Sequence, residues 1–269
     1  MPEAGYTFNR AALSPSAGWL AAYGYNFESD AARLWVWEVP PSAGDAVPAP
    51  VLRHSLTVLG RVNGAVAFHP DESQVAVSSS DGARNVAEVF RLTDGTALAQ
   101  LNHSAFPADL AYSPDGTVLA VASTDARIAL WNASTYASEG VLEAYNPGET
   151  LGGLAMVRFS PDGSELVYAG NYPVLQVWDL ATQTEARTKT LPDDGNLPLD
   201  LAFSADGEVL LVAAGSEFLG TGSLYAVEYE GVGLTLLTLD LFTTQIEVTE
   251  EGYLFAFPAE RWLVYGVAP

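Results

Sequence analysis

The chain has 269 residues, of which 49% are hydrophobic, so it can form a packed core and is not a disordered polymer. Its 33 acidic residues outnumber 11 basic ones, and the formal charge of -22 excludes nucleic acid as an expected partner because it repels phosphates. The absence of cysteine excludes disulfides and thiolate metal sites. Its longest apolar runs fall far below the roughly 20 residues of a membrane span, so no membrane insertion is expected.

The amino terminus has no basic segment followed by an apolar run, so the sequence predicts no signal peptide. If Met1 is the true start, a cytoplasmic location is expected, and otherwise the compartment is open. We expect a monomer or a module of a larger protein.

One short motif recurs along the chain: an apolar residue followed by a tight polar turn. Its copies lie at residues 13–16, 68–71, 112–116, 159–163, 203–207 and, more weakly, 248–252. Successive copies are 44 to 55 residues apart, which is the size of one β-propeller blade. The sequence therefore predicts an all-β fold, a β-propeller of six blades with four antiparallel strands each, the last blade being possibly incomplete.

In chain order the six predicted blades form a single domain over residues 1–269. They span residues 8–58, 62–102, 106–146, 153–192, 197–240 and 243–269. The third blade has predicted strands at residues 108–112, 117–122, 127–131 and 140–144, with Asp115-Gly116 as hairpin turn. The sixth stops after its third strand, so residues 1–7 complete it, or it has three strands, or the natural chain is longer.

The predicted third strands of the blades align with one another, and five of the six end on a large aromatic residue. Among these residues are Trp37, Trp131 and Trp178. One ring per blade is what neighbouring twisted sheets need to fill the wedge between them. We interpret these residues as structural.

The clearest repeats, residues 110–116 with 128–132 and 157–163 with 175–179, resemble the WD-repeat β-propeller family. The resemblance extends from about residue 8 to 267. It implies that His103, Asp125 and Trp131 belong to the family's hydrogen-bonded structural set. Val121 stands where the family has Ser or Thr, so the set is incomplete, and the other blades lack the histidine.

Strand alternation places the residues four positions before the second residue of each motif, the first of its polar turn, near the mouth of a central channel. The polar members of this set are Arg10, Asp109, Asp200 and Gln245. Such a mixed ring suits a polar ligand, a cation or a basic partner side chain, and simple solvation of the channel is the alternative.

Loops entering the first strands and joining the second to the third should share the face of that channel mouth. They carry acids interleaved with aromatics, a composition that suits a basic or mixed protein surface. The candidates are Asn26, Glu28, Asp30, Asp81, Arg84, His103, Tyr145, Asn146, Asn171, Tyr172, Asp193, Asp194, Asn196, Glu217 and Phe218. Exposed, solvated loops are the alternative interpretation.

No nucleophile elbow, phosphate-binding loop or zinc-binding helix motif occurs in the sequence, so no catalytic residue, metal or cofactor is expected. The favoured function is a non-catalytic scaffold that binds a protein or peptide through an acidic face. The alternative is a channel-sited small-molecule or calcium-dependent hydrolase, similar to lactonases, that uses Asp109 and Asp200.

Overall fold

The computed structural model describes eleven stretches of the chain. They are residues 5–41, 49–60, 65–143, 156–170, 172–192, 196–204, 206–216, 221–239, 243–248, 253–258 and 263–266. All regular elements in these stretches are β-strands. None of the described segments is a helix of the length and apolar character that crossing a bilayer requires.

The chain divides into two compact units, residues 1–151 and 152–269. The first unit holds three antiparallel sheets of four strands, each strand pairing with the next along the chain. Blade 1 consists of β1 (Thr7–Leu13), β2 (Trp19–Asn26), β3 (Ala31–Glu38) and β4 (Val51–Val58). Blade 2 consists of β5 (Val66–Phe68), β6 (Gln74–Ser80), β7 (Asn85–Arg91) and β8 (Ala97–His103). Blade 3 consists of β9 (Pro107–Tyr112), β10 (Val118–Ser123), β11 (Arg127–Asn132) and β12 (Ser138–Glu143).

The second unit holds two further four-stranded blades and a terminal sheet of three strands. Blade 4 consists of β13 (Met156–Phe159), β14 (Glu165–Ala169), β15 (Val174–Asp179) and β16 (Thr184–Thr190). Blade 5 consists of β17 (Leu197–Phe203), β18 (Val209–Ser216), β19 (Thr221–Glu228) and β20 (Leu234–Leu239). The terminal sheet consists of β21 (Thr243–Val248), β22 (Tyr253–Pro258) and β23 (Leu263–Gly266).

Antiparallel four-stranded blades are confirmed, but the predicted number is wrong: the described stretches hold five such blades, not six. The predicted number of blades came from the turn motif, which lies in the hairpin between the first and second strands of each sheet. The motif therefore does not indicate whether a fourth strand is present. No fourth strand joins β21–β23 within the described stretches. Of residues 1–7, Tyr6 packs on Trp35 of blade 1 at a ring distance of 4.9 Å and Thr7 begins β1. Residues 1–4 lie outside the described part.

The Ser-Pro-Asp-Gly turn is held by a compact set of hydrogen bonds. In blade 3, Ser113 Oγ donates to Asp115 Oδ1 at 2.6 Å and accepts from the amide of Val118 at 2.9 Å. The Ser113 bond and two from Thr117 hold the pKa of Asp115 below its usual value. Gly116 has φ +72°, and a Cβ there would lie 2.5 Å from the ring of His69. The turn therefore needs glycine for its conformation and for the approach of the preceding blade.

Within each unit, apolar faces of neighbouring blades pack on each other. Val89 of blade 2 and Leu119 of blade 3 share one core cluster, against which Trp131 packs from the rim. In the second unit, Val177 of blade 4 and Tyr225 of blade 5 share another cluster. Burying an aliphatic side chain of this size stabilises the fold by about 1.5–3 kcal/mol. The strands alternate apolar and polar residues because their apolar faces pack on the neighbouring blade.

Polar groups also join blades 4 and 5. Arg187 of β16 binds both oxygens of Glu165, at 2.7 and 2.8 Å, and its guanidinium lies 4.5 Å from the centre of the Tyr229 ring. The Tyr229 hydroxyl donates to Glu165 Oε2 at 2.5 Å, and burial together with this bond raises the pKa of Tyr229 well above its usual value. Nearby, Lys189 Nζ donates to the carbonyls of Glu228 and Gly231 at 2.6 Å each.

The outer strand of every four-stranded blade carries a β-bulge, where one of its residues has no direct partner on the third strand. In blades 1 to 4 the bulge lies opposite the aromatic residue near the end of the third strand and the residue before it, for example Trp37 in blade 1 or Trp178 in blade 4. In blade 5 it lies opposite Leu224 and Tyr225 instead. The bulged residues, in chain order, are Arg53, Leu98, Glu139, Ala186 and Leu237.

Candidate functional site

Asp200, a predicted channel residue, holds three strands of the second unit together. Its side chain is 8% exposed, and the residue follows a bulge in β17. Oδ1 accepts from Arg158 Nη2 of β13 at 2.6 Å and from the amide of Leu201 at 2.9 Å. Oδ2 accepts from the amide of Ile246 in β21 at 2.8 Å. Both oxygens are therefore engaged within the protein, and this geometry describes a structural tie.

Sequence reasoning missed Arg158, which makes most of this tie possible. Its Nε donates to the Leu201 carbonyl at 2.9 Å and its Nη1 to the Val157 carbonyl at 2.7 Å. A signal was present in the repeats: two residues before the turn serine, blades 3 and 5 have Ala111 and Ala202, whereas blade 4 has arginine. A cation on a strand that is otherwise apolar calls for a buried partner.

The other predicted channel residues occupy equivalent places in their strands. A bulge or register shift precedes Arg10 in β1, Asp109 in β9 and Gln245 in β21, as it precedes Asp200. Arg10 is half-buried and Asp109 is buried, and both have interaction partners. Arg10 and Asp109 belong to the first unit, and Asp200 and Gln245 to the second. The ring of channel ligands stays a prediction.

The hydrolase alternative depended on Asp109 and Asp200. Hydrogen bonds from Arg158, Leu201 and Ile246 occupy the carboxylate of Asp200, which leaves it poorly suited to coordinate a cation. In the part of the chain that is described, no group of three or more His, Cys, Asp or Glu side chains is placed to hold a metal.

The three residues assigned to the WD-type structural set lie at the junction of blades 2 and 3. His103 ends β8, Asp125 lies in the β10–β11 turn, and the His103 ring stands 5.8 Å from the Trp131 ring at 73°. Asp125 Oδ2 accepts from Ser104 Oγ at 2.9 Å. Burial lowers the pKa of His103 to about 4, against a smaller opposing effect of Asp125, so the imidazole is neutral at pH 7.

This set lacks its internal hydrogen bonds. His103 Nε2, Asp125 Oδ1 and Trp131 Nε1 are buried and have no hydrogen-bond partner in the structure. Val121, fully buried in β10, offers only methyl groups to the cluster that Trp131 joins. The missing hydroxyl explains why these polar atoms stay unsatisfied. The remaining assigned tryptophans, Trp37 in β3 and Trp178 in β15, are half-buried.

Val121→Thr should raise the free energy of unfolding by about 1 kcal/mol, because a hydroxyl there can pair with the unsatisfied His103 and Trp131 nitrogens. Urea denaturation at pH 7 measures the change. The matched control is Val77→Thr, the equivalent buried position of blade 2, where the hydroxyl meets an apolar cluster and should cost about 1–3 kcal/mol. Equal losses in both variants would contradict the expectation.

The loop between β2 and β3 presents an aromatic residue that the sequence analysis did not select. Phe27 is 74% exposed. Its ring lies edge-on to Tyr25 at 4.9 Å, and the adjacent residues Glu28 and Asp30 are exposed. Asn26 Oδ1 accepts from the amides of Glu28 and Ser29 at 2.9 and 3.0 Å, which fixes the turn. Nothing in the repeat pattern singles out this ring, because the corresponding loops of blades 4 and 5 also carry an aromatic residue, Tyr172 and Phe218.

The equivalent turn of blade 2 carries Asp81, another predicted contact residue. Asp81 accepts from the amides of Ala83 and Arg84 at 2.9 and 2.7 Å, and it pairs with the Arg84 guanidinium at 2.8 Å. These hydrogen bonds, chiefly those from Arg84, lower the pKa of Asp81 to about 2. Asp81 therefore stays charged at the surface and its turn presents both signs of charge.

Only some of the predicted loop residues of the second unit lie in the described part of the chain. Tyr172 is half-buried just before β15, and Asn196 is buried, with its Nδ2 donating to Ser223 Oγ at 3.2 Å. The remaining loop candidates lie outside the described residues: Tyr145 and Asn146 of the first unit, and Asn171, Asp193, Asp194, Glu217 and Phe218 of the second.

Comparison with known proteins agrees with the repeat pattern. The family model described as "WD domain, G-beta repeat" matches residues 95–132, which run from β8 to β11. Human Coronin-7 is 35% identical over 167 residues, covering 58% of this chain and 17% of that protein. The WD repeat, SAM and U-box domain-containing protein 1 of Danio rerio is 37% identical over 82 residues, covering 30% of this chain and 16% of that protein. The chain thus spans about a sixth of the length of these relatives.

A solved structure shares the fold. Kuenenia stuttgartiensis Hydrazine Synthase superposes with a TM-score of 0.71 over 95% of this chain and 74% of that one, at 17% sequence identity. At that identity the likeness shows the architecture alone. The recurrent four-stranded blades, the repeat match over residues 95–132 and the similarity to coronins together support a WD-repeat β-propeller.

Proposed function

We propose that the chain is a non-catalytic scaffold that binds a protein or peptide through the acidic face formed by the second-to-third-strand loops of blades 1 to 3. The exposed ring of Phe27, followed by the exposed acids Glu28 and Asp30 on a turn that Asn26 fixes, is the observation that carries the proposal. The coronin and WD-repeat relatives support a protein partner in general.

Phe27 has the properties of an interface anchor. An aromatic ring loses little conformational entropy on binding and buries a large apolar area, so rings of this kind dominate binding energy at protein interfaces. The Asn26 hydrogen bonds and the edge-on packing against Tyr25 hold the loop in one conformation before any partner arrives. Such pre-organisation reduces the entropy lost on association.

Charge on the same loops favours a partner with basic or mixed character. The exposed acids Glu28 and Asp30 follow the ring in the same loop, and Asp81 with Arg84 forms the corresponding turn of blade 2. The net charge of -22 adds a long-range field that speeds the approach of cationic surfaces and slows that of anionic ones. The partner we propose therefore places an apolar pocket for Phe27 beside Lys or Arg side chains.

Phe27→Ala is expected to weaken partner binding by about tenfold or more, which corresponds to about 1.4 kcal/mol or more. Partners are first captured on the immobilised wild-type chain from the source organism and purified, and their affinities are then measured by biolayer interferometry. Glu28→Gln should mainly lower the association rate, and its effect should shrink as salt rises.

Val141→Ala provides the matched control, since Val141 is a half-exposed apolar residue on the outer strand of blade 3. It should leave the affinity unchanged. A partner that binds the Phe27→Ala chain as tightly as wild type would overturn the proposed face, and a small-molecule turnover that persists in that variant would overturn the scaffold role.

A further inference from the structure

The outer strand of blade 5 exposes apolar side chains with no charged residue among them, whereas the exposed Val51 and Leu52 of β4 are followed by Arg53. β20 ends its sheet, so one of its edges pairs with no other strand in the described part of the chain. Leu236 and Leu237 are 42% and 49% exposed, and Leu234 is also exposed. The displaced bulge opposite Tyr225 breaks the alternation of the strand, and it leaves two consecutive leucines in solvent.

The other outer strands carry charged or polar groups at this edge. β4 has Arg53, β12 has Glu139 and Glu143, β16 has Arg187 and Lys189, and the exposed polar positions of β8 are Gln100 and Asn102. Between Leu234 and Leu239, β20 has neither a charged residue nor a proline. Proteins usually protect an edge strand with such residues because a bare apolar edge attracts further strands.

A cavity of about 360 Å³ adjoins the start of β20. It lies between β16 and the β19–β20 turn, and its lining is mixed: Val227, Val232 and Leu234 are aliphatic, Thr188 and Thr190 carry hydroxyls, and Arg187, Lys189 and Glu230 are charged. The aliphatic groups give an entering aliphatic side chain its contacts, and the charged groups form the polar part of the wall. The exposed leucines and the cavity thus form one continuous surface along blade 5.

Charge near the surface indicates which kind of strand would fit. Arg187 is paired with Glu165 and Glu230, and Lys189 is bound to two carbonyls, so these cations are already engaged. Glu230, which pairs with Arg187, is much more exposed than that arginine, with its side chain 78% exposed. In a chain of net charge -22, it favours a basic residue beside the bound segment.

We propose that β20 is a second docking surface, which takes an extended peptide segment with alternating aliphatic residues and a Lys- or Arg-rich flank. The segment adds as a fifth strand to blade 5: its backbone pairs with the free edge of β20, its aliphatic side chains cover Leu236 and Leu237, and one of them enters the cavity. The basic flank meets Glu230. A second copy of the chain fits less well, because each copy carries a charge of -22.

The test uses a fluorescein-labelled peptide in which valines alternate with threonines between pairs of lysines, titrated against the whole chain by fluorescence anisotropy. Saturable binding is expected, and the double variant Leu236→Thr/Leu237→Thr should weaken it by about tenfold or more, since it removes the apolar contacts but keeps β-propensity. Hydrogen exchange should show new protection of the β20 amides with bound peptide.

Matched controls separate the alternatives. Val141→Thr on β12 should bind the peptide like wild type, and so should Phe27→Ala, because the loop face is a different surface. A peptide with glutamates in place of the lysines should bind about tenfold or more weakly. Unchanged binding by the double leucine variant, or protection of β4 or β12 instead of β20, would overturn the proposal. A dimer in sedimentation that the double variant abolishes would show a second copy as the occupant and would equally overturn it.

Discussion

Asp200→Ala should lower the free energy of unfolding by about 3–5 kcal/mol, the usual cost of removing one member of a buried ion pair. The variant leaves Arg158 without its counter-ion and the amides of Leu201 and Ile246 without their acceptor. Urea denaturation monitored by fluorescence measures the loss. Hydrogen exchange should locate it in β17 and β21 and leave β2 and β3 unaffected.

Two companion variants make this result specific. Asp200→Asn retains one acceptor oxygen and should lose less stability, which gives a folded variant if alanine prevents folding. Asp206→Ala lies in the exposed turn of the same blade, where Asp206 accepts from Ser204 Oγ and the amide of Glu208, and should cost about 1 kcal/mol or less. Equal effects of Asp200→Ala and Asp206→Ala would contradict the buried tie.

Glu165→Ala should cost about 2–4 kcal/mol. Glu165 is 15% exposed and binds Arg187 through both oxygens while accepting from the Tyr229 hydroxyl. Its removal leaves the partly buried Arg187 guanidinium with the exposed Glu230 as its carboxylate partner, and it takes away the acceptor of the buried Tyr229 hydroxyl at the contact of blades 4 and 5. Thermal and urea denaturation at pH 7 both report the change.

The control for this cluster uses the same arginine. Glu230→Ala removes the other carboxylate that Arg187 binds, at 2.9 Å, but that carboxylate is largely exposed. An exposed pair contributes about 0–1 kcal/mol, so this variant should remain close to wild type. If Glu230→Ala proved as destabilising as Glu165→Ala, burial would not be what gives the cluster its strength.

Local chemistry made the blades predictable. In blade 3, the predicted strands at residues 108–112, 117–122, 127–131 and 140–144 agree with β9 to β12 within two residues at each end. Turn residues and alternating side chains fix these elements over short distances. The number of four-stranded blades was not predictable in the same way, because the marker motif lies in the first hairpin of each sheet.

The candidate site was less predictable because its roles depend on distant groups. The repeats located Asp200, but its function follows from Arg158, 42 residues earlier, and from the backbone amide of Ile246, 46 residues later. Phe27 resembles the loop aromatics Tyr172 and Phe218 in sequence, and only coordinates show that its ring is exposed. The displaced bulge of β20 likewise leaves no mark in the sequence, since the residues of a bulge need not differ from those of a regular strand.

The carboxylate of Asp200 reaches a cation in blade 4 and an amide in the terminal sheet at the same time. In stacked-repeat proteins, stability is approximately a sum of terms for single repeats and for adjacent pairs. The Asp200 side chain contacts blade 4 and the terminal sheet from blade 5, so it adds a coupling free energy between two modules that are not successive in the chain. The second half of this chain should accordingly unfold in a single concerted step, and deleting either flanking module should weaken the other.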